Sequence, residues 1–193
     1  NRVIATTTIN RIVALAGVDI VIASHALNVI NNDYEGMPNT KHISQLVAEA
    51  VKKGKLTLLS VQNRENVYTY HDPCYLGRGN GEYDAPRSVL DAMPGKNVEM
   101  KRNKSFSLCC GAGGGQMFKE AEKGDKEVFM ERTEEALSTG CDIIATACPF
   151  CMVMMTDGLK YKNKDEEVKN YDIQMELKGE YKVMDTLIGT GLN

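Results

Sequence analysis

An α/β architecture in two related units is the fold this sequence predicts, and three observations carry it. Apolar strand-like runs alternate with stretches of helical periodicity, the pattern of helices layered on a sheet with a parallel component. The clearest runs, Asp19-Ile20-Val21-Ile22-Ala23 and Asp142-Ile143-Ile144-Ala145-Thr146, read as buried strands. The third observation is an internal echo. A helix, Gly17 and VDIVIASHA resemble a helix, Gly140 and CDIIATACPFC. In the first copy Ala23 and Ala26 stand where the second has Cys148 and Cys151, so the first unit (1–60) lacks those cysteines and reads as truncated.

The elements follow in order. Residues 6–16 carry Ile9, Ile12, Val13 and Ala16 at helical spacing, and Gly17 stops that helix before the first strand. Ser24 to Asn32 predicts another helix, and Tyr34 to Lys41 a loop. His42 to Lys53 is amphipathic, with Ile43, Leu46, Val47, Ala50 and Val51 on one face and Gly54 closing it. The polar stretch 60–66, SVQNREN, divides the chain into 1–60 and 61–193. Val67 to Tyr70 opens the second unit as a strand and leads to His71-Asp72-Pro73-Cys74. Ala85 to Met93 predicts a helix with Pro86 in its first turn. Pro94-Gly95 turns the chain, and Val98 to Met100 predicts a strand. Gln116 to Ser138 reads as mostly helical with a break near Gly124. After the strand at 142–146, Met152 to Leu159 continues as a helix. A last helix is expected at Val183 to Ile188.

The composition sets bounds. The 193 residues, 42% of them hydrophobic, suffice for one or two small units with cores of their own. A net charge of −3 gives no field for a polyanion, and 6% aromatics with no Trp give no base-stacking platform, so nucleic acid is not an expected partner. No run of about 18 apolar residues exists to span a bilayer. The chain starts at Asn1 without Met or a targeting segment and reads as a piece of a longer polypeptide.

Five of the six cysteines form one pattern: Cys74, Cys109-Cys110-Gly111, and Cys148-Pro149-Phe150-Cys151. Thiolates select iron–sulfur clusters, zinc or copper(I). Five of them, two adjacent, are one more than a tetrahedral zinc or an ordinary cubane cluster uses. Each sits beside a turn-forming residue. Pro73 stiffens the turn that presents Cys74. Gly111 to Gly115 leaves the backbone free to lie close to an inorganic core and aim N–H groups at sulfur. Cys148 and Cys151 fall at a strand-to-helix turn, where helix N-terminal N–H groups favour thiolate. Clustering in CC and CxxC argues for metal or redox chemistry over structural disulfides. Cys141 lies outside the pattern and is expected to pack as a small buried hydrophobe.

Other residues weigh less. His71, three before Cys74, is as well suited to tuning a bound group as to a turn hydrogen bond. His25 and His42 are expected to be structural or surface residues. Arg78 and Arg87 flank the Cys74 loop, where either offsets an anionic group or is simply solvated. Met152, Met154 and Met155 read as core packing. The glycine run lacks a Walker lysine and the full GxGxxG pattern, so it is no nucleotide loop. Two alternatives stay open on the residues alone. One is a structural zinc domain using four of the five thiols. The other is a thiol–disulfide oxidoreductase built on CPFC, with Cys148 as its low-pKa thiolate.

HDPCYLGR (71–78), YDAPRSVLDAMPG (83–95), SLCCGAGGG (107–115) and ATACPFCMVMMTDG (145–158) together resemble the cysteine-rich CCG domain of heterodisulfide reductase and related iron–sulfur oxidoreductase subunits. The resemblance covers most of residues 67–160. It implies two CCG-type units in tandem and a noncubane 4Fe–4S cluster in the second, held by Cys74, Cys109, Cys110, Cys148 and Cys151 with Gly111 at close approach. The first unit's closing segment reads ASHALN (23–28) and has neither closing cysteine, so one cluster is implied. The implied role is electron transfer between a flavoprotein or ferredoxin-type module and a quinone or disulfide acceptor. The implied location is cytoplasmic, with membrane association through missing parts or partners.

Overall fold

Parallel pairing organises every strand in this protein's computed structural model, which describes residues 20–21, 40–54, 65–120 and 123–173, with backbone alone at 20, 21 and 40. The short strands β1 (Ile20–Val21) and β2 (Thr40–Lys41) pair with each other. The larger sheet holds β3 (Asn66–Tyr70), β4 (Gly95–Asn97), β5 (Ile143–Thr146) and β6 (Lys169–Asp172), in the spatial order β4-β3-β5-β6. Parallel neighbours need crossovers, and helices supply them. Helix α2 (Asp84–Asp91) links β3 to β4, α3 (Val128–Leu137) links β4 to β5, and α4 (Pro149–Tyr161) links β5 to β6. Helix α1 (Ile43–Lys52) precedes the sheet.

Strand β5 is buried along its whole length because both of its faces are covered. Side chains alternate across a strand. Ile143 and Ala145 therefore enter one core with Tyr68, Tyr70, Val89, Leu90 and Val47 of α1. Ile144 enters the other, with Met100, Ala136, Met155, Leu159 and Val168. Each fully buried Leu, Ile or Met contributes about 1.5–3 kcal/mol by leaving water. The first residues of α1 are closed by a reciprocal cap: Ser44 N donates to His42 Nδ1 at 3.3 Å, and His42 N donates to Gln45 Oε1 at 2.9 Å. Burial lowers the His42 pKa to about 4. Gly54, at φ +66°, ends the α1 segment as expected.

Several expected boundaries move. Strand β4 forms at Gly95–Asn97 and not at Val98 to Met100. A Cβ on Gly95 would stand 2.2 Å from Asn66 O, so only glycine lets the chain approach β3 there. Val98 N still donates to Tyr68 O at 2.8 Å, after which the chain leaves the sheet and Met100 fills the second core. The helix expected over Gln116 to Ser138 shrinks to α3. Residues 113–118 form a 3-10 turn in which Gly114 and Gly115 take φ of +65° and +73°, outside the helical range. Helix α4 starts three residues earlier than expected, at Pro149, whose fixed φ and missing N–H suit a first turn. Thr40–Lys41, expected in a loop, is a strand. The helices expected at 6–16, 24–32 and 183–188 lie outside the described residues, as does most of the boundary at 60–66. The described residues do not establish a second, truncated unit. Among them no helix is long and apolar enough to cross a membrane.

Helices α3 and α4 meet at Gly158, where a Cβ would lie 2.0 Å from Thr133 Oγ1. Thr133 is fully buried, and its hydroxyl donates to Phe129 O at 2.8 Å, so it cannot swing away. Gly158→Ala is expected to destabilise the fold by about 1–3 kcal/mol through overpacking. Thr133→Ala is expected to recover part of that loss. Denaturant melts of the two single variants and the double variant measure the coupling, and additive effects would contradict this account.

Candidate metal centre

The three cysteine segments come together because of the strand order. Cys74 follows the C-terminal end of β3, the Cys109-Cys110 loop follows β4, and Cys148 follows β5. These strands are parallel neighbours, so all three loops leave the sheet at the same edge. The chain runs from β3 to β4 on one side, then to β5 on the other. The crevice at such a switch point is where open α/β sheets place their sites. His71 N donates to Ala145 O at 2.9 Å and holds the β3 and β5 exits side by side.

Cys110, Cys148 and Cys151 are buried and pack with Ala112 and Met154, while Cys74 and Cys109 are half-buried. None of the six cysteines forms a disulfide. Cys148 caps α4 with extended backbone, and Cys151 lies in the helix's first turn. Gly111, at φ +91°, turns its N–H back onto Cys109 Sγ at 3.3 Å. A Cβ on Gly111 would press on Phe129 N at 3.3 Å and lie in ordinary contact with Met154 Cε at 3.6 Å, so the loop sits close against α3 and α4. Met154 is thus packing for the thiol cluster, and Met155 belongs to the second core.

The thiols influence one another electrostatically. Cys109 and then Cys151 donate to Cys110 and hold its pKa far below the usual thiol range, with His71 adding to the effect. The same bond to Cys110 raises Cys109, and the bonds to Cys110 and Cys148 raise Cys151. The Cys151 thiol lowers Cys148 to about 7. Burial, and then the negative charge of Cys110, push Cys74 up. Negative charge therefore settles first on Cys110, Cys148 is also lowered, and Cys74, Cys109 and Cys151 are held towards the protonated form. Ionising all five in so enclosed a site requires a cation among them. The donor set is soft and five-membered, with Cys110, Cys148 and Cys151 buried and Cys74 and Cys109 half-buried, which fits an iron–sulfur group. Cys141 stands apart in the second core, donating weakly to Ala136 O at 3.5 Å, as its sequence position suggested.

The two flanking arginines divide. Arg87 does not offset charge at the thiols as the sequence allowed. Its guanidinium is committed to Asp72 in a two-pronged pair of 2.8 and 2.9 Å and to Glu99 at 2.6 Å. Arg78 Nη1 donates to Ser107 O at 2.7 Å, and its charge acts to lower Cys74. His71 is fully buried, and a ring nitrogen lies within 4.8 Å of both Cys110 Sγ and Cys151 Sγ. Sequence reasoning missed Arg132, whose side chain is 0% exposed and whose Nε donates to His71 Nδ1 at 2.9 Å. A signal was available: Phe129, Arg132, Thr133 and Ala136 mark the inward stripe of α3, and a charge at such a position needs a buried partner.

Fold and site together define an α/β domain that gathers five thiols at the C-terminal edge of a parallel sheet. Residues 68–156 match the family described as the CCG cysteine-rich domain. The chain is 41% identical over 160 residues to the probable iron-sulfur-binding oxidoreductase FadF of Bacillus subtilis, covering 80% of this chain and 22% of that protein. It is 37% identical over 163 residues to the EtfAB:quinone oxidoreductase of Syntrophomonas wolfei, again 80% of this chain and 22% of the relative. It is 45% identical over 120 residues to one component of the dihydromethanophenazine:CoB–CoM heterodisulfide reductase of Methanosarcina barkeri, 61% of this chain and 28% of that component. The chain thus spans roughly a quarter of the length of these relatives or less.

Proposed function

We propose that this chain is the cluster-bearing, electron-transferring segment of a larger iron–sulfur oxidoreductase. The observation that carries this reading is the convergence of five thiols from three separate loops into one group, with Cys110, Cys148 and Cys151 buried at its centre. Cys74, Cys109, Cys110, Cys148 and Cys151 would hold a noncubane 4Fe–4S cluster, which supplies one-electron redox chemistry when bound. The protein's own part is to place the thiolates, keep water out and direct N–H groups at sulfur. Gly111 N–H does the last at Cys109, and Arg78 offsets negative charge near Cys74. The excess of one thiol over a tetrahedral set weighs against a zinc site. A CPFC oxidoreductase would leave Cys74, Cys109 and Cys110 without a role.

Such a segment would work with a flavoprotein or ferredoxin-type donor and a quinone or disulfide acceptor, and the names of two relatives support the acceptor classes by printing a quinone and a heterodisulfide. Phe106 and Phe118, 85% and 80% exposed, lie on either side of Cys109-Cys110 in the chain and suit a covered, partner-facing rim. On the same reading residues 61–193 are the cluster-bearing unit, and 1–60 are the remnant of a related unit without ligands. A cytoplasmic position, held at the inner membrane through partners, fits these roles.

Anaerobic iron, zinc and acid-labile sulfide analysis, with EPR on oxidised and reduced protein, tests the proposal. About four iron and four sulfide per chain, with a spin signal unlike that of a cubane cluster, are expected for the type named. Stoichiometric zinc without sulfide would overturn it.

A further inference from the structure

We propose that Arg132 fixes His71 as the tautomer protonated on Nε2, and that His71 in this state donates a hydrogen bond to the Cys110 sulfur and is not itself a metal ligand. The functional half rests on the iron–sulfur reading above, whereas the tautomer does not. Arg132 is a positioning residue here, acting only through the imidazole.

A guanidinium has donors and no acceptor. Arg132 Nε, 2.9 Å from His71 Nδ1, therefore makes that nitrogen the acceptor and leaves the ring's proton on Nε2. Arg132 cannot turn away. Its Nη1 is bound to Arg102 O at 2.8 Å and Glu135 Oε2 at 3.0 Å, and its Nη2 to Ser107 Oγ at 3.2 Å. Backbone pairing holds His71 equally, through its N–H to Ala145 O. Both residues are fully buried, so water cannot take over either role.

By distance alone, His71, Cys110 and Cys151 form a three-ligand set for a metal ion. The polarity behind the ring argues otherwise. A histidine that binds a metal ordinarily gives its other N–H to a carboxylate, a carbonyl or water. A metal on Nε2 would move the ring's proton to Nδ1 and set that N–H against Arg132 Nε–H, donor against donor. The arrangement suits a ring that offers Nε2–H to sulfur. Hydrogen bonds to cluster sulfurs are one of the levers on reduction potential, and by offsetting thiolate charge they favour the reduced state.

The test uses the full-length protein in two forms. In iron-free protein with nitrogen-15 histidine, long-range proton–nitrogen correlation is expected to show His71 as a single Nε2–H tautomer. Arg132→Met should mix the tautomers and Arg132→Lys should restore the wild-type pattern. In reconstituted protein, His71→Leu and Arg132→Met are expected to shift the midpoint potential downward with iron and sulfide content unchanged, and Arg132→Lys to lie closer to wild type. An Nδ1–H pattern overturns the tautomer assignment. Loss of iron from His71→Leu, at retained fold by circular dichroism, overturns the donor role in favour of ligation, and an unmoved potential also overturns it. If wild-type protein takes up no iron and sulfide, the cluster reading itself fails. The donor role is then decided on the iron-free protein: Cys110→Ala moves the His71 Nε2–H resonance upfield if the bond exists and leaves it in place if it does not.

Discussion

Cys110→Ala is expected to abolish iron and sulfide retention and with it the brown colour of the purified protein. Cys110 lies at the middle of the thiol group, accepting from Cys109, Cys151 and His71, and its charge acts on Cys74. Even partners outside the ligand set change metal affinity by about 10–100-fold when removed, and loss of a central ligand should exceed that range. Metal binding is coupled to folding in such domains, so the loss has to be read at constant fold. Cys141→Ala supplies the control. It removes a buried thiol of the second core, is expected to cost on the order of 1 kcal/mol, and should leave the iron content at the wild-type level. Iron and sulfide assays with far-UV circular dichroism on both variants decide the matter. Wild-type iron in Cys110→Ala, or iron loss in Cys141→Ala, would refute the ligand assignment.

Asp72→Ala is expected to cost about 3–5 kcal/mol of stability, the range seen when one partner of a buried ion pair is removed. The side chains of Arg87 and Asp72 are 9% and 3% exposed. Burial works against the charge on Arg87, yet the bonds from Asp72 and Glu99 outweigh it and raise its pKa. Without Asp72 the guanidinium keeps Glu99, the Tyr83 carbonyl at 2.9 Å and the Tyr70 ring at 5.3 Å, but loses its most buried partner. Asp72 Oδ2 also accepts from Lys104 N at 2.7 Å, which ties the turn before Cys74 to the loop before Cys109. Iron loading is therefore expected to fall together with stability. Removing both charges, as Asp72→Ala with Arg87→Met, should restore part of the loss because no uncompensated charge remains. Urea melts of the three variants give the coupling energy. A single variant within about 1 kcal/mol of wild type would show that the pair is not what holds this corner.

Much of this was legible in the sequence because it is local. The run at 142–146 and the periodicity over 42–53 announce β5 and α1, and the stretch 85–93 with Pro86 in its first turn announces α2, since these signals are written in neighbouring residues. Where glycine decides conformation through its surroundings, the sequence misleads. Gly95 looks like a turn residue, and only the closeness of Asn66 shows that it starts a strand. Gln116 to Phe118 look helical until the positive φ of Gly114 and Gly115 diverts the chain.

The cysteine spacing by itself pointed to five thiols as one candidate ligand set, because residue type sets ligand softness and the flanking glycines and prolines set the turns. The tertiary structure alone decided which charges serve that site. Arg87, beside Cys74 in sequence, turns away to Asp72 and Glu99, while Arg132, 58 residues after Cys74, comes in behind His71. Buried charges are governed by which partner lies within about 3 Å, and strand order, not sequence distance, brings those partners together.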